Sequence, residues 1–449
     1  MIRGVWAWMG GACVRGILVL VVAGGCARER AGGRTVEFWA MGREGEAVAR
    51  LVGEFERAHP GVRVRVQQIP WSAAHEKLLT AHVGRALPDV VQVGSTWLPE
   101  LVAVGALAPL DAWVADPGFD REDYFPGVLD AATIDGRTWG LPWYVDTRLL
   151  FYRADMLRAV GVAEPPATWT AWLDVLARLE RRQGAGRYAI LLPLTEWETP
   201  VALAWQHGAR LLRDGGRYGD FRSPAFRAAL RFYADLFERG LAPRAGAGSV
   251  ANLYQDFARG YFALFVSGPW SIGELGRRLP PELAGVWSTA PMPARDDAAP
   301  GISVVGGASL AVTATSADKD AAWQWIAFLS DPARQRAFHE ATGDLPARPS
   351  AWRAAGLDAD PRARAFWTQL QRVRAVPTIP EWERIARKVG DAGEAVARGW
   401  RPVDEAAAAL DRDVDEILEK RRWMLDHDRP LWPDADAGRE RVAWARGRR

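Results

Sequence analysis

Three tryptophans stand at the ends of apolar runs that are typical of buried strands, and they are the first residues to suggest a site. Trp270 follows the run 261–266 and the Ser-Gly-Pro step 267–269, which cannot continue a central strand. Trp39 and Trp97 end two other strand-like runs. In an open α/β sheet, ligands bind in the crevice outside such strand ends. The residues favour noncovalent binding against flat indole faces, although core packing of Trp270 explains this stretch equally well.

The composition argues against several other kinds of chemistry. The 449 residues carry 57 basic and 55 acidic side chains, and the formal charge of +2 gives no field that would attract nucleic acid. The six histidines show neither HExxH nor paired spacing, and both cysteines, Cys13 and Cys26, lie near the amino terminus. Neither a disulfide framework nor a metal site is therefore expected in the body of the chain, and we predict no cofactor.

The first 26 residues have the anatomy of an export signal. A basic start leads into the apolar run 16–23, which is too short to span a bilayer as a mature helix, and Gly-Gly-Cys follows at 24–26. The segment resembles a bacterial lipoprotein signal, although Ala23 stands where such signals usually carry leucine. The resemblance implies cleavage before Cys26, lipidation of Cys26 and attachment to a membrane, with 27–33 as a linker. The alternative is an ordinary cleaved signal.

From residue 34 the chain alternates strand and helix patterns. Strands are predicted at 34–40, 62–69 and 88–93, and amphipathic helices at 46–57 and 72–83. The charged stretch 41–46 is predicted to be a turn. Because crossovers between such strands are right-handed, this order predicts a parallel sheet whose strand ends meet at one crevice.

Two later extended runs are predicted to connect a second sheet to the first. They lie at 147–152, after a Gly-Leu-Pro step, and at 303–313, around Gly306 and Gly307. Extended crossings of this kind are natural hinges. The remainder is predicted to be mostly helical, with long helices at 169–183, 223–239, 316–330, 361–373, 382–398 and 403–425, and residues 426–449 as a loose C-terminal tail.

Seven stretches carry a further signal through their order along the chain. They are FWAMGREGE at 38–46, LPDVVQVGSTWLPEL at 87–101, GRTWGLPWYVDTRLLFYRADML at 136–157, PATWTAWLDVLARL at 166–179, FALFVSGPW at 262–270, WQWIAFLSDPARQ at 323–335 and IPEWERI at 379–385. Together they resemble the sugar-binding extracellular solute-binding proteins of bacterial ABC importers, the group that includes maltose-binding protein. The resemblance covers residues 34–425.

The resemblance implies an α/β fold of two lobes, each a mostly parallel sheet flanked by helices and joined by extended hinge crossings. The N-terminal lobe would comprise 34–145 plus 306–350, and the C-terminal lobe 146–305 plus 351–425. Such a protein captures a sugar between lobes that close, and delivers it to a membrane permease of an ABC importer. It would act as a monomer in the periplasm or on the outer face of the cell membrane, without enzymatic activity.

The resemblance also implies which residues bind the ligand. Sugars are held by aromatic faces against their C–H surfaces and by planar polar groups at their hydroxyls. The aromatic candidates are Trp39, Trp97, Trp205, Trp270, Trp382 and Tyr144. The polar candidates are Arg43, Glu44, Asp146 and Glu196, and the backbone at Gly306 and Gly307 would allow close approach.

Two alternatives remain open at this stage. The first is a binding protein for a non-sugar solute, such as a polyamine, which would need several carboxylates between aromatic walls, or a glycerol-phosphate compound. The second is a secreted glycoside hydrolase, in which Asp146 and Glu196 would form the carboxylate pair. The predicted open sheets, rather than a barrel, argue against the enzyme.

Overall fold

The computed structural model describes residues 33–125, 127–244, 252–295 and 300–433. The predicted signal, the lipidation of Cys26 and most of the C-terminal tail lie outside these residues. The body from Arg34 onward clusters as one compact unit. Within the described residues, no helix combines the length and apolar character needed to cross a membrane.

The described chain folds into short strands and helices that alternate through most of its length. The strands are β1 Arg34–Met41, β2 Val62–Ile69, β3 Val90–Gly94, β4 Thr133–Ile134, β5 Arg137–Thr138, β6 Leu141–Thr147, β7 Leu149–Arg153, β8 Tyr188–Leu191, β9 Leu212–Arg213, β10 Tyr218–Gly219, β11 Phe262–Ser267, β12 Trp287–Ala290, β13 Ser303–Val312, β14 Leu345–Pro346 and β15 Val373–Arg374. The helices are α1 Gly42–Ala49, α2 Val52–Ala58, α3 Trp71–Val83, α4 Leu98–Ala103, α5 Asp111–Val114, α6 Val128–Ala131, α7 Ala154–Arg158, α8 Trp169–Gln183, α9 Glu198–Gln206, α10 Pro224–Glu238, α11 Leu253–Ala258, α12 Trp270–Arg278, α13 Lys319–Leu329, α14 Pro332–Thr342, α15 Pro349–Ala354, α16 Pro361–Leu370, α17 Trp382–Ala397, α18 Val403–Ile417 and α19 Glu419–Asp426.

The larger sheet has the order β14-β6-β13-β3-β1-β2, with β15 pairing the start of β13. Strands β1, β2 and β3 are parallel, as the β-α-β-α-β pattern predicts, and β3 is buried along its whole length. Strands β13, β6 and β14 join antiparallel. The expectation of a mostly parallel sheet is therefore wrong for this lobe, because the crossing strands enter it from the opposite direction.

The smaller sheet has the order β12-β7-β11-β8 and forms the second lobe. Only β11 and β8 are parallel, and β7 pairs antiparallel with both of its neighbours, so this sheet is mixed as well. The central strand β11 is buried throughout and leads directly into α12 through Gly268 and Pro269. This places Trp270 at the first position of a helix, immediately beyond the strand end.

The two sheets are connected by β6 and β13, which pair with each other between the lobes. A single residue, Arg148, separates β6 from β7, so the chain passes from one sheet to the next within one step. The hydroxyl of Ser303, at the start of β13, donates to the Arg148 carbonyl at 2.7 Å, and the Thr147 hydroxyl donates to the Val304 carbonyl at 2.6 Å. These bonds tie both crossings together at the hinge.

Two predicted boundaries need correction. The split at residues 350 and 351 falls inside α15, which packs on α14 and β14 and places Trp352 5.5 Å from the ring of Phe125 in the N-terminal lobe. The return to the second sheet occurs in α16, where Phe366 meets Phe151 at 6.1 Å. The expected turn at 41–46 is also wrong, because α1 begins at Gly42, whose φ of +46° turns the chain from the end of β1 into the helix.

Candidate functional site

A cavity of about 720 Å³ lies between the two lobes. Both sheets reach it through their strand ends, and both crossing strands form its floor. Its walls combine indole rings with ionisable side chains. The principal lining residues are Arg43, Glu44, Trp71, Thr96, Trp97, Tyr144, Asp146, Arg148, Trp197, Glu198, Tyr254, Trp270, Glu274, Arg278, Gly306, Gly307, Asp344 and Glu383.

The N-terminal wall is built around an edge-to-face pair of indoles. The rings of Trp71 and Trp97 lie 5.5 Å apart at 63°. Trp97 also contacts the His75 ring at 5.1 Å, and His75 is held by Glu100 at 2.9 Å. Such pairing fixes each ring plane and keeps an apolar face available for a ligand.

A buried carboxylate, Glu44, organises the polar groups of this wall. Its Oε1 atom accepts hydrogen bonds from the Trp71 indole N–H and the Tyr144 hydroxyl, both at 3.0 Å. The Gln92 amide donates to the Tyr144 oxygen at 3.2 Å, and this amide is itself held by the Met41 backbone. Burial raises the pKa of Glu44, which the hydrogen bonds from its donors oppose.

A second buried carboxylate, Asp344, faces the same cavity from the loop after α14. Its side chain is buried, and its backbone N–H donates to the Thr342 hydroxyl at 3.0 Å. Burial raises the pKa of Asp344 well above its ordinary value, and the neighbouring charge of Glu44 raises it further. Burial and the nearby second acid thus favour the protonated form of Asp344.

The C-terminal wall centres on Trp270. A Cβ atom added at Gly268 would lie 2.1 Å from the ring, so only glycine at this position lets the indole lie against the strand end. The guanidinium carbon of Arg148 lies 4.8 Å from the ring centroid. The absence of a side chain at Gly268 and the Arg148 guanidinium near the ring therefore set the orientation of Trp270.

Arg148 is surrounded by carboxylates. Its Nη2 atom donates to Glu198 at 2.6 Å, Nη1 lies 3.4 Å from Asp146, and Nε lies 3.7 Å from Glu196. The side chain is only 13% exposed. These acids raise the pKa of Arg148 against the effect of its burial, so it stays charged.

Trp197 forms another aromatic part of the C-terminal wall and packs on a buried indole of the same lobe. Its ring packs edge-to-face on Trp382, at 5.3 Å and 84°. The neighbouring Glu383 lines the cavity together with Thr96 of the opposite lobe. Burial raises the pKa of Glu383.

The lobes also meet at the rim of the cavity. Arg43 on α1 donates to Glu274 on α12 at 3.1 Å and to the Ala341 carbonyl at 3.1 Å. Close by, a Cβ atom on Gly343 would lie 3.4 Å from the backbone of Gly273. The two lobes are thus in contact through both an ion pair and backbone packing on this side.

Eight of the predicted binding residues line the cavity: Arg43, Glu44, Trp97, Tyr144, Asp146, Trp270, Gly306 and Gly307. Close contacts leave no room for a side chain at either glycine. A Cβ on Gly306 would lie 2.1 Å from the Asp146 carboxylate, and one on Gly307, whose φ is +124°, would lie 2.3 Å from the Tyr144 carbonyl.

Four predicted residues do not line the cavity. Trp205 and Trp382 are 4% and 0% exposed and belong to the apolar core of the C-terminal lobe, so their assignment as ligand-binding residues is wrong. Trp39 lies within β1 rather than beyond it, with the Lys77 ammonium 4.5 Å from its ring. Glu196 reaches the site only through its ion pair with Arg148.

Several lining residues were not predicted from the sequence. Trp71 follows the end of β2 across Pro70, which is the same signal that singled out Trp97 and Trp270, and it could have been found. Arg148, Asp344 and Glu383 carry no such signal, because their roles depend on contacts between segments distant in sequence. Among the described residues, no cluster of histidine, cysteine or acidic side chains could hold a metal ion.

Comparison with known proteins identifies the family. Residues 40–336 match the family model described as bacterial extracellular solute-binding protein. The chain belongs to this family. Its structure is similar to that of the sugar-binding protein MalE from the phytopathogen Xanthomonas citri, with 47% identity and a TM-score of 0.82 over 87% of this chain and 99% of that one. The predicted family and the two-lobed α/β fold are therefore confirmed.

Two curated relatives extend the comparison. The chain is 28% identical to a mannitol-binding protein of Pseudomonas aeruginosa, over 83% of this chain and 90% of the relative. It is 29% identical to an uncharacterized lipoprotein of Streptomyces antibioticus, over 82% and 84% respectively. The members of this exported family bind solutes, and the cavity between the lobes is the place where this chain offers the groups to do so.

Proposed function

We propose that this solute-binding protein captures a sugar or short oligosaccharide between its lobes and delivers it to the permease of an ABC importer. The observation that carries the proposal is a cavity with indole rings on both walls and carboxylates between them. Trp71 and Trp97 on one lobe and Trp197 and Trp270 on the other match the apolar faces of pyranose rings. The buried acids supply acceptors for the hydroxyl groups.

The relatives support a carbohydrate or polyol ligand. The similar structure is described as a sugar-binding protein, and one of the curated relatives as a mannitol-binding protein. Those descriptions apply to the relatives. Because this chain resembles them in fold and in length, a sugar or polyol is also the ligand class that we favour for this protein. Lobe closure around the ligand would present the closed shape to the permease.

We also propose that the exported protein is a monomer anchored to the membrane through lipidated Cys26. The sequence pattern at residues 16–26 supports this, as does the likeness to a protein described as a lipoprotein. An anchor of several acyl chains would keep the protein beside its permease.

Binding without catalysis is favoured by the arrangement of the acids that a hydrolase would need. A glycosidase holds two carboxylates on either side of a scissile bond, with substrate or water between them. Here Asp146 and Glu196 both face the Arg148 guanidinium, at 3.4 Å and 3.7 Å. The cation therefore occupies the space in which the bond would have to lie.

A cationic solute such as a polyamine is the second candidate. Six carboxylates and three guanidinium groups line the cavity. The guanidinium groups of Arg43, Arg148 and Arg278 already pair with Glu274 or Glu198. The excess of carboxylates disfavours an anionic ligand, including a glycerol-phosphate compound, and is compatible with an amine.

A calorimetric screen tests the proposal. The purified mature protein would be titrated with maltose, trehalose, mannitol, glycerol 3-phosphate and spermidine. We expect binding of at least one sugar or polyol with a dissociation constant in the micromolar range, about −8 kcal/mol, and none of glycerol 3-phosphate. Binding of spermidine alone would favour the second candidate. Release of glucose from maltose or trehalose by the purified protein would contradict the assignment as a binding protein.

A further inference from the structure

Arg148 occupies a position that links the hinge to the ligand-binding wall. It is the one residue between β6 and β7, and its carbonyl accepts the Ser303 hydroxyl from the second crossing at 2.7 Å. Its backbone is thus bonded to both strands that connect the lobes. Any rotation of the lobes about these crossings changes the direction in which its side chain points.

The side chain of Arg148 extends the link into the cavity. It is 13% exposed, bonded to Glu198 at 2.6 Å, and its guanidinium carbon lies 4.8 Å from the centroid of the Trp270 ring. Asp146 and Glu196 lie at 3.4 Å and 3.7 Å from two further nitrogens. A planar guanidinium directs its N–H donors at several carboxylates within its plane while its face covers an aromatic ring, whereas an ammonium group is a compact point charge without such a face.

Trp270 is held by this contact together with the backbone at the end of β11, against which its ring lies. Because Gly268 has no side chain, the Trp270 ring can lie directly against its backbone; a Cβ atom there would fall 2.1 Å from the ring. The ring is partly exposed to the cavity. The Gly268 backbone and the Arg148 cation therefore hold the orientation of the ring, and its exposed part is available for stacking.

From these contacts we infer that Arg148 is a positioning residue, which fixes the plane of Trp270 relative to the hinge so that ligand stacking and lobe closure are coupled. The inference rests on the proposed function of the cavity. Although Arg148 lines the cavity, its effect on affinity passes through Trp270 and through the carboxylates that hold the guanidinium.

The first measurement needs no ligand. The protein would be labelled with 5-fluorotryptophan, and the ¹⁹F resonance of Trp270 would be identified by its loss in Trp270→Phe. We expect Arg148→Lys to shift or broaden this resonance while most other resonances stay in place. An unchanged Trp270 resonance would overturn the inference, even if no sugar were found to bind.

The second measurement uses the tightest-binding sugar or polyol of the screen in a double-mutant cycle. Arg148→Lys is expected to weaken binding roughly tenfold in the wild-type background and less than about threefold in Trp270→Ala, because the contact it supports is then absent. Equal losses in both backgrounds would contradict the inference. If no sugar or polyol binds the wild type, the proposed function fails, whereas the ¹⁹F result still decides the positioning role.

A matched control separates positioning from general stability. Arg153 is another buried arginine, 9% exposed, paired with Asp155 at 2.7 Å and outside the cavity lining. Arg153→Lys is expected to lower the melting temperature without changing the affinity or the Trp270 resonance. If Arg148→Lys does not fold, Glu198→Gln loosens the same guanidinium and is expected to cause the same shift; an unchanged resonance in that variant would overturn the inference.

Discussion

Replacement of Trp270 by alanine is expected to weaken binding of the cognate sugar by about 30-fold or more, a loss of about 2 kcal/mol. Trp270 is the first residue of α12, stands at the end of the buried strand β11, and lines the cavity opposite the indoles of the N-terminal lobe. Truncation removes one of the two indoles of the C-terminal wall. It also leaves Arg148 without the ring that it covers. Calorimetric titration of both proteins with the same sugar measures the effect.

The control for this experiment is a tryptophan outside the cavity. Trp400 is 69% exposed and contacts Arg398, whose guanidinium carbon lies 4.9 Å from its ring. Trp400→Ala should leave the dissociation constant unchanged. An affinity of Trp270→Ala within about threefold of the wild type, with an unchanged melting temperature, would remove Trp270 from the binding site.

Asp344→Asn is expected to raise the thermal stability of the ligand-free protein at neutral pH. Burial and the nearby Glu44 raise the pKa of Asp344 well above its ordinary value of 3.8. Between 3.8 and the raised pKa, the unfolded chain releases a proton that the folded protein keeps, so the wild type loses stability as the pH increases. Relative to the variant, this loss amounts to at most about 1.4 kcal/mol per pH unit for one group. Thermal unfolding from pH 4 to pH 8 measures it.

An aspartate with the opposite shift provides the comparison. Burial alone would raise the pKa of Asp123, but hydrogen bonds from Ser350 and the charge of Arg348 outweigh it and lower this pKa. Asp123→Asn should therefore destabilise the protein at neutral pH, with a cost that disappears as the pH falls below about 4. A melting temperature of Asp344→Asn at or below that of the wild type at every pH would show that Asp344 is stabilised as an ion.

The sequence was informative where function depends on local geometry. A strand pattern followed by Ser-Gly-Pro or by a turn places the next residue beyond a strand end, and Trp97 and Trp270 were both predicted in this way and both line the cavity. The same local rule fits Trp71. The strand at 62–69 and the helix at 169–183 were also predicted from their periodicity within one residue of their observed bounds.

The errors arose where tertiary packing decides which face of an element meets the cavity. Trp205 and Trp382 sit on helices with apolar faces, and only the packing of α9, α10, α17 and α18 shows that both rings point into the core. The mixed strand directions were missed for the same reason, because the direction of β13 depends on where the chain returns to the first lobe. The role of Arg148 needs four partners from three separate segments, which no spacing rule predicts.

A crystal structure of the complex with the tightest-binding sugar or polyol would show directly whether the cavity is the binding site. We expect the ligand to lie between Trp270 and the Trp71–Trp97 pair, within hydrogen-bonding distance of Glu44 or Asp344, and to be enclosed by both lobes. A ligand bound outside this cavity, or held by one lobe alone, would contradict this expectation.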